Sequence, residues 1–153
     1  MSRKRTTERT KTAKTSKAVN TTKVFVLDTN IMLSDADCLH AFQDNEVVIP
    51  LVALEELDHH KKRQDEIGRN ARAISRRLDE LREIGNLCEG VDLPTGGKLK
   101  VLPIPSFDSK TLPTEIKDQT KVDNIIIAQA KLLSKGLDNP DRCILISKDI
   151  NVR

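Results

Sequence analysis

Four apolar residues, Val24-Phe25-Val26-Leu27, run straight into Asp28-Thr29-Asn30. A run this short, ending abruptly on a carboxylate, predicts a buried strand that delivers Asp28 at its carboxyl end. Comparable runs recur at 46–50, 99–103 and 143–147, with amphipathic segments between them. Strands alternating with helices imply parallel pairing with right-handed crossovers, which places every strand's carboxyl end at one edge. Ligands of open α/β sheets bind at that edge. Asp28 is therefore the first candidate for chemistry, although an aspartate there also suits the capping of a helix or turn.

The segments between the strands read as helices of unequal clarity. A short helix capped near Ser34 and running to Phe42 is expected. Leu51, Leu54 and Leu57 predict a helix from 51 to about 63, with Glu55, Glu56, Asp58, His59 and His60 on the remaining faces. The adjacent histidines lack a cysteine or third histidine at ligand spacing, so they read as solvated positions. Residues 67–86 give the cleanest pattern, with Ile67, Ala71, Ile74, Leu78 and Leu81 at three- and four-residue steps. On that helix Arg69, Arg72 and Arg76 share a side and could meet phosphates, or form a solvated face with pairs such as Arg76 and Glu80. Residues 90–97 read as a turn-rich connection, and 104–119, with Pro105 and Pro113, as a long surface loop. Thr120-Lys121-Val122-Asp123 has the form of a capping box, opening a helix that stops at Gly136.

Composition narrows the function classes. Aromatic residues are 2% of the chain, with no Trp or Tyr, so any grip on nucleic acid must be electrostatic rather than stacked. Three cysteines, Cys38, Cys88 and Cys143, form no CxxC pair and suggest neither a zinc ribbon nor a disulfide framework. They suit a reducing cytosol. No apolar run approaches the ~20 residues of a membrane span, so a soluble cytoplasmic protein is expected. Residues 1 to 22 hold seven Lys or Arg against the single acid Glu8, a balance of +6, so the rest of the +3 chain carries −3. Rich in threonine and nearly free of large apolar residues, this tail is expected to be disordered and able to scan polyanions. The domain then occupies residues 23 to 153.

Four acids from separated segments can converge at the carboxyl edge: Asp28 after the first strand, Glu55 or Glu56 on the helix after the second, Asp123 at a helix start, and Asp149 after the last strand. Unpaired carboxylates repel, and such a cluster is most simply explained by a hard divalent cation, Mg²⁺ or Mn²⁺, bound through oxygen. Each acid also has a local explanation as a cap, a first-turn charge or a turn residue.

At these positions the chain resembles the PIN-domain ribonucleases, through VLDTN at 26–30, ALEELD at 53–58, DNIIIAQA at 123–130 and ISKDINVR at 146–153. EELDHHKK followed by GRNAR at 68–72 is most similar to the PIN domain that precedes a PhoH-like ATPase domain. The resemblance implies an α/β, PIN-like three-layer fold with a central parallel sheet flanked by helices. It implies an acidic site of Asp28, Glu56, Asp123 and Asp149 that holds the metal, with Thr29, Asn30 and Ser147 orienting it. Glu56 is preferred to Glu55 because it directly precedes Leu57, as in the family's Glu-Leu element; periodicity alone leaves the two open.

The reading is a metal-dependent endoribonuclease that cuts single-stranded RNA by metal-activated water, with Arg69 and Arg72 as RNA contacts. Its chief rival is a non-catalytic RNA-binding or protein-interaction module with the same fold. A receiver-like signalling domain fits less well, because Lys148 next to Asp149 only partly matches the lysine it would require. No P-loop GxxxxGK[ST] occurs, so an ATPase half would lie elsewhere in a parent protein. The family's fifth strand has no counterpart before Arg153. A fragment of a longer protein is therefore expected, or a domain whose edge a partner or second copy covers.

Overall fold

The computed structural model describes residues 20–103 and 121–148. Most of the basic tail, the 104–119 loop, Thr120 and Asp149 lie outside them. The first apolar run forms β1 (Val24–Leu27), and Asp28 at once caps α1 (Thr29–Ser34). Sequence places a helix from a cap near Ser34 to Phe42; α1 instead ends at Ser34, and the expected stretch holds a 3-10 turn (Cys38–His40). β2 (Glu46–Pro50) leads without a loop into α2 (Leu51–His60), and α3 (Glu66–Ile84) follows. Next come β3 (Val91–Asp92), β4 (Lys98–Leu102), α4 (Val122–Lys135) and β5 (Cys143–Ile146).

The sheet order is β3-β4-β2-β1-β5. Every pairing is parallel except β3 with β4, so β1, β2, β4 and β5 share a carboxyl edge. β1 lies between β2 and β5, with Val24 opposite both Glu46 and Cys143 and Leu27 opposite Ile146. Val26, Leu27, Val48 and Ile49 are fully buried. At roughly 1.5–3 kcal/mol for each large aliphatic side chain taken from water, this centre fixes the height at which Asp28 leaves the sheet. Antiparallel β3 was not foreseen in the 90–97 connection, where Gly90 and Gly96 take positive φ to turn the chain into β4. β5, expected to be fully buried, is half-buried along its length and among the described residues pairs only with β1.

α3 buries the expected stripe, with Ala71, Ile74, Leu78 and Leu81 inside, while Ile67 is half-buried. Its N-cap is Asp65, whose carboxylate accepts from Gly68 N–H at 3.1 Å. The Arg63 guanidinium, together with that N–H, holds the Asp65 carboxyl down at about 2. Gly68 lets the α2–α3 connection pass close by, since a Cβ there would sit 2.0 Å from the Arg63 carbonyl oxygen. α4 begins after Lys121, which makes no side-chain cap, so Asp123 stands in the first turn, and Gly136 ends the helix. No described helix is long and apolar enough to cross a membrane.

Candidate active site at the carboxyl edge

Where β1 and β5 end side by side, the Asp28 N–H donates to the Ile146 carbonyl at 3.0 Å, continuing the ladder one step past the strand. This bond turns the Asp28 side chain into the space above the sheet edge, where it is 1% exposed. Oδ1 accepts from the Thr29 N–H at 2.7 Å, which is the capping contact of α1. Oδ2 accepts from Ser147 Oγ at 2.6 Å. Thr29, equally buried, donates its hydroxyl to Glu56 Oε2 at 2.6 Å. One segment therefore positions two carboxylates from different elements, Asp28 at the end of β1 directly and Glu56 within α2 through the Thr29 side chain.

Glu55 points elsewhere. It is exposed, lining a groove between α2 and α3 with Leu54 and Leu78, and its carbonyl is engaged by His59 Nδ1 at 2.7 Å. Asp123 is half-buried in the first turn of α4, where the helix dipole favours an acid. Asn30 is exposed and, among the described residues, bonds neither Asp28 nor Glu56 through its side chain; it lines a cavity beside them. Arg69 is exposed. Arg72 instead donates Nη1 to the carbonyls of Lys61, at 2.6 Å, and Arg63, at 2.9 Å, closing the end of α2. Arg77, not singled out from sequence, braces α3 to the Asp37 carboxylate at 2.5 Å and to the Ala36 carbonyl. Among the described residues the exposed His59 and half-buried His60 join no metal-holding group.

The electrostatics of Asp28 are unusual. A carboxylate taken from water normally meets a cation or several strong donors, because desolvating the charge is otherwise costly. Asp28 forms no ion pair among the described residues and meets two neutral donors. Each of its oxygens keeps a further lone pair. The described residues bring together no three His, Cys, Asp or Glu side chains as a metal group, and Asp149 lies outside them. The donors that Thr29 ties together, Asp28 and Glu56, are hard oxygens, and Asp28 is buried without a cationic partner among the described residues. This set fits a divalent cation bound through carboxylate and water.

A family model described as PIN domain matches residues 25–153. The chain is 46% identical to Protein PhoH2 of Bacillus subtilis over 135 residues, covering 86% of this chain and 30% of that protein. It is 34% identical to Protein PhoH2 of Mycolicibacterium smegmatis over 132 residues, covering 86% and 29%. A third relative, Protein PhoH2 of Thermobispora bispora, is 32% identical over 133 residues, again covering 86% and 29%. The chain thus spans 29–30% of the length of the curated relatives it matches.

Proposed function

The chain belongs to the PIN-domain family, and on that premise we propose that it is a metal-dependent endoribonuclease that cleaves single-stranded RNA by metal-activated water. PIN domains as a family are nucleases, hydrolases of phosphodiester bonds. The observation that supports the reading here is the buried Asp28 carboxylate, without a cationic partner among the described residues and linked through Thr29 to Glu56. Asp28 and Glu56, together with Asp123 and Asp149, would hold the ion. A bound Mg²⁺ or Mn²⁺ supplies positive charge for the phosphoryl oxygens and a water of lowered pKa.

The chain's own residues do the positioning. The Thr29 N–H and Ser147 hydroxyl fix both oxygens of Asp28, so its rotamer is set before any ligand arrives. The Thr29 hydroxyl holds one oxygen of Glu56 and leaves the other available. Thr29 opens α1 and touches both carboxylates, so one residue ties the positions of the two. Such preorganisation supplies rate through orientation and fixed charge. Arg69, exposed on α3, remains available for phosphate contact, whereas Arg72 is already committed to two carbonyls.

The relatives extend well beyond the matched region, which supports a longer parent protein with a further, PhoH-like ATPase domain. The test is manganese-dependent cleavage of a labelled single-stranded RNA by the wild-type, Asp28→Asn, Glu56→Gln and Glu55→Gln proteins. Asp28→Asn and Glu56→Gln should abolish cleavage, and Glu55→Gln should keep most of it. Wild-type rates in Asp28→Asn would remove the catalytic assignment, and a Glu55 effect larger than that of Glu56 would move the second acid.

A further inference from the structure

Beside Asp28 opens a cavity of about 340 Å³, lined by Asn30, Leu33, Ser34, Ile67 and Lys148. Its place follows from the chain: Asn30 is two residues after Asp28, and Lys148 directly follows the Ser147 that bonds Asp28. The walls are chemically divided. Leu33 and Ile67 form an apolar side, held together because Asn70 Nδ2 on α3 donates to the Leu33 carbonyl on α1 at 2.8 Å. Asn30, Ser34 and Lys148 form a polar side, all three exposed. Ser34 spends its proton on the carbonyls of Asn30 and Ile31, at 2.8 and 3.0 Å, and keeps acceptor capacity. Lys148 has no carboxylate partner among the described residues.

We infer that this cavity holds one nucleotide of a single strand next to the scissile phosphate, its phosphate at Lys148 and its base against Leu33 and Ile67. The inference rests on the nuclease reading for its substrate class. The volume lies at the lower end of the roughly 300–1,000 Å³ range of small-molecule sites, room for one nucleotide. A cation on one wall and aliphatic carbons on the other match the two halves of a nucleotide. The chain lacks the Trp and Tyr that would stack a base, so the aliphatic wall takes that place. Lys148 selects no sequence, since phosphates carry none. The Asn30 amide, offering both a donor and an acceptor, is placed to meet a base edge.

The test is binding of a short fluorescein-labelled oligouridine to the full chain, by fluorescence anisotropy across a salt series, in chelator so that no strand is cut. Lys148→Gln, at an exposed position that leaves folding alone, should weaken binding about tenfold, the size of one charge-assisted contact. It should also lower the slope of log affinity against log salt by about 0.7, one phosphate on a single strand. Ile67→Ala should weaken binding and leave the slope unchanged, and Lys135→Gln, at the far end of α4, should change neither. Wild-type affinity and slope in Lys148→Gln would overturn the assignment. So would uridine 5′-monophosphate displacing the strand at the strand's own affinity, which would make this a free-nucleotide site. Because chelator removes the cutting step, a failure of cleavage in manganese leaves this measurement standing, and the reverse also holds.

Discussion

The substitution Asp28→Asn should stabilise the metal-free protein and destabilise the metal-loaded one. At 1% exposure and without a cationic partner among the described residues, an ionised Asp28 carries a desolvation cost of several kcal/mol. Its two hydrogen bonds, from Thr29 N–H and Ser147 Oγ, offset part of that cost. Asparagine can keep both. Its carbonyl oxygen accepts from the Thr29 N–H, and its amide nitrogen faces Ser147, whose hydroxyl can turn to accept. What is lost is the charge assistance, about 1 to 1.5 kcal/mol for each bond when a charged acceptor becomes neutral. Set against several kcal/mol of desolvation, the net gain in chelator is about 1–2 kcal/mol. At a hundredfold excess over its dissociation constant, a metal that binds only the folded wild type adds about 2.7 kcal/mol, and Asp28→Asn forfeits this gain. The order of the two proteins therefore inverts between chelator and Mn²⁺. For a chain of this size the shift is about 2–4 °C in Tm for each kcal/mol, readable in paired thermal melts. A variant less stable than wild type in chelator would show that the Asp28 charge is already compensated. Equal stabilisation of both proteins by Mn²⁺ would place the ion elsewhere.

Two further outcomes follow from the packing. Gly68→Ala should lose about 2 kcal/mol although alanine is the better helix former by about 1, because its Cβ would meet the Arg63 carbonyl oxygen at 2.0 Å and push away the connection that Arg72 holds. A denaturant midpoint at or above wild type would mean that this connection is slack. Burial, with Asp35 nearby, pushes the Cys38 thiol up to about 12, whereas Cys88 is exposed, so a thiol reagent at about pH 8 should label Cys88 first and Cys38 only on unfolding. Peptide mapping of the labelled sites decides the order, and early label at Cys38 would refute it.

Much of the fold could be read from sequence because its strands are short apolar runs and α3 carries a long, regular stripe. Those signals survive without knowledge of what packs on them. β3 escaped because two residues have no periodicity; Val91 and Asp92 are strand only by their register with Leu99 and Lys98. Arg72 stands on the same helical side as Arg69 and Arg76, and periodicity cannot distinguish them. What separates them is the approach of the α2 terminus, whose carbonyls capture one guanidinium. The pair Glu55 and Glu56 had the same difficulty, since either could have faced the edge. Thr29, 27 residues away in sequence, bonds Glu56 and leaves Glu55 in solvent.

The two readings of Asp28 open at the level of sequence, a helix cap and a group for chemistry, turn out not to exclude each other. One oxygen caps α1 through the Thr29 N–H, and the other meets Ser147 at the end of β5. A capping bond fixes the χ angles of the residue that makes it, and a metal-binding carboxylate needs the same immobility, because its geometry must hold when the site is empty. The cap also sets the direction of α1, so the Thr29 hydroxyl arrives at Glu56 and the Asn30 and Ser34 side chains arrive at the adjoining cavity. A capping aspartate at the end of a central strand is thus a means of aiming an acid and its neighbours together. Breaking the cap alone would scatter the cavity as well as the carboxylates.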